Sequence, residues 1–199
     1  MLVASVWANV FLNPLIPFSA HPLLNSAGLL AITESILILQ PTHTATQKAK
    51  GTFVHAVFNG TAFNVFLAGL IVIEVTKSLH AGTHLESPHA ILGLTTYILV
   101  FIQASVGFTL HYYPNLYGGV DTAKSWYKWH RASGYVILAS LLATAIAATQ
   151  TDYNKTTLGI NIWAIIISAV LILIGILPRI KKQKFGFGSR HIEVSNHLD

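Results

Sequence analysis

Five stretches of this chain are long and apolar enough to cross a lipid bilayer, and they limit its fold more tightly than any other feature. They cover residues 18–39, 53–76, 89–110, 131–149 and 158–177. A helix needs roughly 20 mostly apolar residues to cross a hydrocarbon core about 30 Å thick. Because no water reaches the backbone there, each span has to close its hydrogen bonds internally, as a helix does. Only 10% of the residues are charged and 53% are hydrophobic, whereas a soluble domain spends about 25% on charge. The expected fold is therefore an all-α membrane protein, with a four-helix core and at least one flanking transmembrane helix. The connecting segments leave no room for a soluble domain, so residues 17–178 are expected to form one transmembrane unit. Cysteine is absent, which excludes thiolate zinc, iron–sulfur and disulfide chemistry. Histidine is the soft ligand that remains.

The two ends differ from this middle. Residues 1–16 are apolar but open without a positive charge, and Pro14 and Pro17 follow closely, which makes a poor signal peptide. About twelve helical residues cover about 18 Å, too little to span. This segment is expected to be a partial helix or an interfacial one. Residues 179–199 are basic, polar and Gly/Ser-containing, the composition of a disordered tail.

Loops joining five spans alternate between the two membrane faces. One face collects Lys48, Lys50, Lys124, Lys128, Arg131 and the basic tail with Arg179, Lys181, Lys182, Lys184 and Arg190, while the other has Lys77 and Lys155. The positive-inside rule then places the basic face, and the C-terminus with it, in the cytoplasm. The net charge of +5 is largely this asymmetry. It fits attraction to lipid headgroups, and no nucleic-acid partner is expected.

Four of the ten histidines stand near the starts of the first four spans: His21, His55, His89 and His130. Successive helices run in opposite directions, so these residues sort by depth into two pairs, His21 with His89 and His55 with His130. In an up-down-up-down bundle, helices one and three are diagonal across the core, as are two and four. Each pair can therefore clamp a planar cofactor at the bundle centre. A lone intramembrane histidine is ordinarily explained by an interhelical hydrogen bond. Four at matching depths favour ligation. Bis-imidazole ligation fills both axial positions of a haem iron, which suits electron transfer rather than oxygen chemistry.

Glycines support the same picture. Gly93 follows His89 by four residues and Gly134 follows His130 by four, so each shares a face with its histidine. Gly107 lies five full turns beyond His89, on the same face but at the opposite membrane surface. Gly28 lies two turns beyond His21. A missing side chain lets a macrocycle approach the backbone, although small residues also ease helix–helix packing. Of the other histidines, His43, His111, His191 and His197 are expected to be solvated. For His80 and His84, solvation and contact with a substrate or ferric ion both stand. Glu34, well inside the first span, is costly unless paired, protonated or hydrated; a proton relay and a helix partner are both open.

These residues resemble the eukaryotic cytochrome b561 family, and within it the short stand-alone members. The run Phe18-Ser19-Ala20-His21-Pro22-Leu23-Leu24 is similar to the family's first ligand motif, with Thr33-Glu34-Ser35 following. His55 in Lys-Gly-Thr-Phe-Val-His, His89 in Ser-Pro-His-Ala-Ile-Leu-Gly and His130 in Trp-His-Arg-Ala-Ser-Gly-Tyr match the other three in order and spacing. Val106-Gly107-Phe108 with Tyr113-Pro114 also fits the end of the family's third core helix. The resemblance implies a transmembrane oxidoreductase with two haem b groups. It would take electrons from cytosolic ascorbate and deliver them to monodehydroascorbate or ferric iron on the other side. The family's donor site uses basic residues, and Lys48, Lys50, Lys124 and Arg131 lie in suitable places. The family has a further helix before the four-helix core, where here only the segment before Pro14 stands.

Two rival readings remain at this level. One is a haem-binding membrane subunit of a quinone-linked complex, and the other a non-haem transporter or structural membrane protein whose histidines pair with polar groups. A second copy of the chain stays open as a partner beside the bilayer itself.

Overall fold

The computed structural model describes residues 1–79 and 83–180. Its main elements are helices α1 (Leu2–Phe11), α2 (Ala20–Leu39), α3 (Ala45–Leu79), α4 (Pro88–Tyr112), α5 (Val120–Ala148) and α6 (Ile162–Ile176). Five of the described helices, all but α1, are long and apolar enough to cross a membrane. There is no strand among the described residues. The chain is an all-α, multi-pass membrane protein.

Most helix starts follow from local chemistry. Ser87 caps α4 by accepting from the Ala90 amide at 3.1 Å, and Pro88 occupies the first helical position, where its missing N–H costs nothing. Asn161 caps α6 through the Trp163 amide at 2.9 Å. Pro178, in the short turn after α6, marks that helix's end.

Two helices begin well before the expected apolar stretches, α3 at Ala45 rather than residue 53 and α5 at Val120 rather than residue 131. At α3 the cause is a reciprocal capping box, in which Thr44 Oγ1 accepts from the Gln47 amide at 3.2 Å and Gln47 Oε1 accepts from the Thr44 amide at 3.1 Å. At α5, Gly118 and Gly119 take φ of 85° and 105°, a left-handed turn that favours glycine. Asp121 follows in the first turn, where the helix dipole favours it. Hydropathy reports where lipid begins, whereas caps report where the helix begins. Consequently Lys48, Lys50, Lys124 and Lys128 stand on helical turns rather than in loops. His55 and His130 likewise lie ten residues inside their helices. His111 closes α4 instead of opening the next loop.

α2 packs along α3, and α4 along α5, for much of their lengths, giving two antiparallel hairpins. The hairpins meet each other more sparingly, α3 against α4 and α2 against α5, so α2 is diagonal to α4 and α3 to α5. α6 lies outside this ring against α5 and α2. α1 fills the angle between α2 and α6, burying Leu2, Val6 and Val10 on one stripe and donating from Trp7 Nε1 to Ser26 Oγ at 3.1 Å. Large apolar side chains face outward, among them Ile71, Ile98, Val136, Trp163 and Ile174. Such a surface is stable only against hydrocarbon.

Between the two ends of the bundle, Phe66 of α3 packs edge-on to Tyr97 of α4 and Phe63 packs at a tilt of 55° against Phe101, with ring centroids 6.1 and 4.9 Å apart. Phe66 is only 1% exposed, and its ring lies 2.7 Å from where a β-carbon on Gly28 would sit. Gly28→Leu should therefore overpack this layer at a cost of about 1–3 kcal/mol. We expect a lower thermal midpoint in detergent. Gly60→Ala, where nothing lies within 4 Å, should leave the midpoint unchanged or raise it through helix propensity.

Candidate functional site

The diagonal arrangement brings histidines of different hairpins together. His21, in the first turn of α2, and His89, in the first turn of α4, have ring centroids 6.2 Å apart with planes at 89°. Two metal–imidazole bonds of about 2 Å each, added to the half-widths of two rings, account for such a separation. At the other end, His130 lies within electrostatic reach of His55. No three His, Cys, Asp or Glu side chains cluster as a metal cage among the described residues. The imidazoles meet in twos.

Each hairpin also fixes how its imidazoles point. His21 Nδ1 bonds the Gly69 carbonyl at 2.9 Å, His55 Nδ1 the Ser35 carbonyl at 2.9 Å, and His89 Nδ1 the Thr144 carbonyl at 3.0 Å. A carbonyl can only accept, so in each case Nδ1 must carry the proton. In the neutral ring Nε2 is then an unprotonated lone pair, the state a metal requires and the outer-shell arrangement typical of ligating histidines. His130 departs from this pattern, since its Nδ1 is buried without a hydrogen-bond partner among the described residues. Because His55 is level with Ser35, the two histidine pairs stand fourteen residues apart along α2, a rise of about 21 Å.

The His21/His89 pair opens on a cavity of about 620 Å³, lined mainly by apolar side chains including Phe18, Leu29, Leu70 and Ile165. That volume falls in the range of cofactor pockets, roughly 300–1,000 Å³. Three locked imidazoles and an apolar slot of this size fit a haem.

The expected glycines divide. Gly93 lines the cavity, and a β-carbon there would meet only Thr144 Cγ2 at 3.7 Å. Gly107 makes room for the His130 ring, whose Cε1 lies 2.8 Å from a notional β-carbon, so it does stand at the second pair. Gly28 instead admits Phe66, and Gly134 admits the Gln103 amide at 3.2 Å. These last two serve side-chain packing directly, because those side chains fill the notch.

Lys48 and Lys50 are exposed on the first turns of α3, at the His55 end. Lys124 pairs with Asp121 at 3.0 Å, and Arg131 is half-buried, donating from Nε to the Tyr127 carbonyl at 3.1 Å. At the mouth of the His21 cavity, His84 Nδ1 approaches Glu74 Oε2 at 3.6 Å, and Lys77 donates to the Thr83 carbonyl. His80, the tail lysines, Arg190, His191 and His197 lie outside the described residues. Glu34 is half-buried on α2.

Several supporting residues escape a search for ligand-type side chains. Asn25 donates to the His21 carbonyl at 2.8 Å and accepts from Tyr97 at 2.6 Å, and Asn59 donates to the His55 carbonyl at 2.7 Å. Their signal was present as an asparagine four residues after each of these histidines. Ser35, Gly69 and Thr144 act through main-chain carbonyls, which leave no side-chain signature.

Apolar spans that bring imidazoles together in twos beside an apolar slot define a haem-carrying membrane protein. A family model described as eukaryotic cytochrome b561 matches residues 20–158, which takes in α2 to α5 and all four histidines. The chain belongs to the eukaryotic cytochrome b561 family, whose members carry electrons across membranes with haem b. No curated protein matches it.

Gly93→Leu places a side chain in the cavity beside His89, where the protein leaves space for it. The fold should survive, while a planar group should be excluded. Haem per chain, measured as the pyridine haemochrome, should fall. Unchanged haem content would show that the cavity is not where haem sits.

Proposed function

We propose that this protein holds two b haems, one between His21 and His89 and one between His55 and His130. It passes electrons from cytosolic ascorbate to monodehydroascorbate or ferric iron on the opposite side. The observation that supports the two-centre reading is the Nδ1–carbonyl bond of His21, His55 and His89, which leaves Nε2 as the unprotonated nitrogen of the neutral ring in each case. Haem bound by two imidazoles supplies one-electron redox chemistry with no open position for dioxygen. The residues supply orientation and insulation. Outward-facing apolar side chains on every span keep water and ions from the route, and the aromatic layer of Phe63, Phe66, Tyr97 and Phe101 fills the space between the two levels.

Direction rests on charge. The rim near His55 and His130 carries Lys48, Lys50, Lys124, Lys128 and Arg131, and the positive-inside rule makes it cytoplasmic together with the C-terminus. An anionic donor is drawn to such a rim, where opposite charge raises its local concentration and encounter rate. The other rim has Glu74, Glu86 and Asp152 beside Lys77, His84 and Lys155, a more balanced surface that suits a cationic acceptor.

The purified protein should show a low-spin b-type spectrum with about two haems per chain. His21→Ala and His89→Ala should each remove one centre, and His55→Ala and His130→Ala the other. Loss of the same centre in His21→Ala and His130→Ala would contradict the pairing. In vesicles of known orientation, ascorbate on the cytoplasmic side should reduce the His55/His130 centre first. Replacing Lys48, Lys50 and Lys124 with Gln should slow that step without removing haem. The rate should also fall with added salt, since exposed charges are screened over about 8 Å at physiological ionic strength. Equal rates from both sides, insensitive to salt and substitution, would contradict the assigned donor side.

A further inference from the structure

The histidine–carbonyl bonds follow a rule of register that points to a residue outside the ligand set. Gly69, the acceptor for His21, lies fourteen positions beyond His55. Ser35, the acceptor for His55, lies fourteen positions beyond His21. Thr144, the acceptor for His89, lies fourteen positions beyond His130. Within each hairpin, then, a histidine on one helix is held by the carbonyl fourteen residues past the histidine of its neighbour, as a local two-fold relation between antiparallel helices requires. The fourth member of the set would be His130, held by the carbonyl fourteen residues past His89. That residue is Gln103.

His130 is also the histidine whose Nδ1 is buried without a partner among the described residues. Its ring lies on Gly107, with Cε1 2.8 Å, Nε2 3.4 Å and Nδ1 3.7 Å from a notional β-carbon there. Gly107 is one helical turn past Gln103, and a helical carbonyl points along the axis toward the residue four ahead. The Gln103 carbonyl therefore points toward the level of α4 on which the His130 ring rests.

The side chain of Gln103 is committed to the same histidine. Its Nε2 donates to the His130 carbonyl at 2.6 Å, and its Oε1 accepts from Ser133 Oγ at 2.8 Å. In the other hairpin this task falls to Asn25 and Asn59, each donating to the carbonyl of the histidine four residues before it. α5 has Gly134 at the equivalent place, and the space it leaves is entered by the Gln103 amide at 3.2 Å. Gln103 performs from the neighbouring helix what an asparagine performs from within.

We propose that Gln103 is the positioning residue of the His55/His130 centre: its main-chain carbonyl accepts from His130 Nδ1 when the ligand is engaged, and its side-chain amide clamps α4 to α5 at that level. The inference rests on the two-haem reading above. A donated Nδ1 proton makes the imidazole a stronger electron donor, which favours the ferric state of the iron it binds. Weakening the clamp should therefore raise the midpoint potential of this centre and leave the His21/His89 centre where it was.

Redox titration of the purified holoprotein, with EPR of each ferric centre, tests this. Gln103→Ser should raise one midpoint by an amount equal to a change of about tenfold in ferrous over ferric preference, about 59 mV for a one-electron couple. Gly134→Ala, which presses on the amide without removing it, should move the same centre in the same direction by less. Adding Gly134→Asn to Gln103→Ser installs the combination that Ser35 and Asn59 form in the other hairpin, and should restore the potential. Unmoved midpoints in both single variants, equal movement of both centres, or a double variant no closer to the parent than Gln103→Ser would overturn the assignment. A parent protein that binds no haem, or a single one, would instead overturn the two-haem reading and remove the basis of this one.

Discussion

Everything else in this bundle depends on the hydrogen bond from a histidine ring to a carbonyl of the neighbouring helix. An imidazole in hydrocarbon is expensive unless both nitrogens are used. Spending Nδ1 on a main-chain acceptor settles the proton, the ring orientation and the free lone pair in one contact. Because His21 meets Gly69 while His55 meets Ser35, the same bonds also fix the axial register of α2 against α3 at both ends. A slip of a single residue would turn both acceptors off their histidines. The site and the hairpin that carries it are thus one construction.

Division of the core into two hairpins follows from the same need. Helices that packed equally well on all sides would leave no slot between them. Here α2 with α3 and α4 with α5 pack closely, while the contacts between hairpins stay sparse, and the His21 cavity lies in the space so left. Asn25 and Tyr97 tie the two hairpins across it with a 2.6 Å hydrogen bond. The outward apolar surface performs no chemistry, yet it is what allows the bundle to sit in hydrocarbon.

The spans and the approach of His21 to His89 were legible because they are carried by side-chain type and period. The starts of α3 and α5 were misjudged because hydropathy marks the lipid boundary, and Thr44–Gln47 and Gly118–Gly119 extend the helices past it. Gly93 and Gly107 lie where spacing put them, whereas Gly28 and Gly134 meet Phe66 and Gln103; a glycine's position in a helix does not say what fills its notch. The carbonyls of Ser35, Gly69 and Thr144 had no legible sign at all. Main-chain acceptors become visible only once helix register is known.

The most direct measurement of the central claim is the anomalous scattering of iron in crystals of the holoprotein. The account predicts two iron peaks per chain, one between His21 and His89 and one between His55 and His130, separated by about 21 Å along the bundle, the rise of fourteen helical residues. A single peak, or a peak whose nearest imidazoles are not one of these pairs, would contradict it.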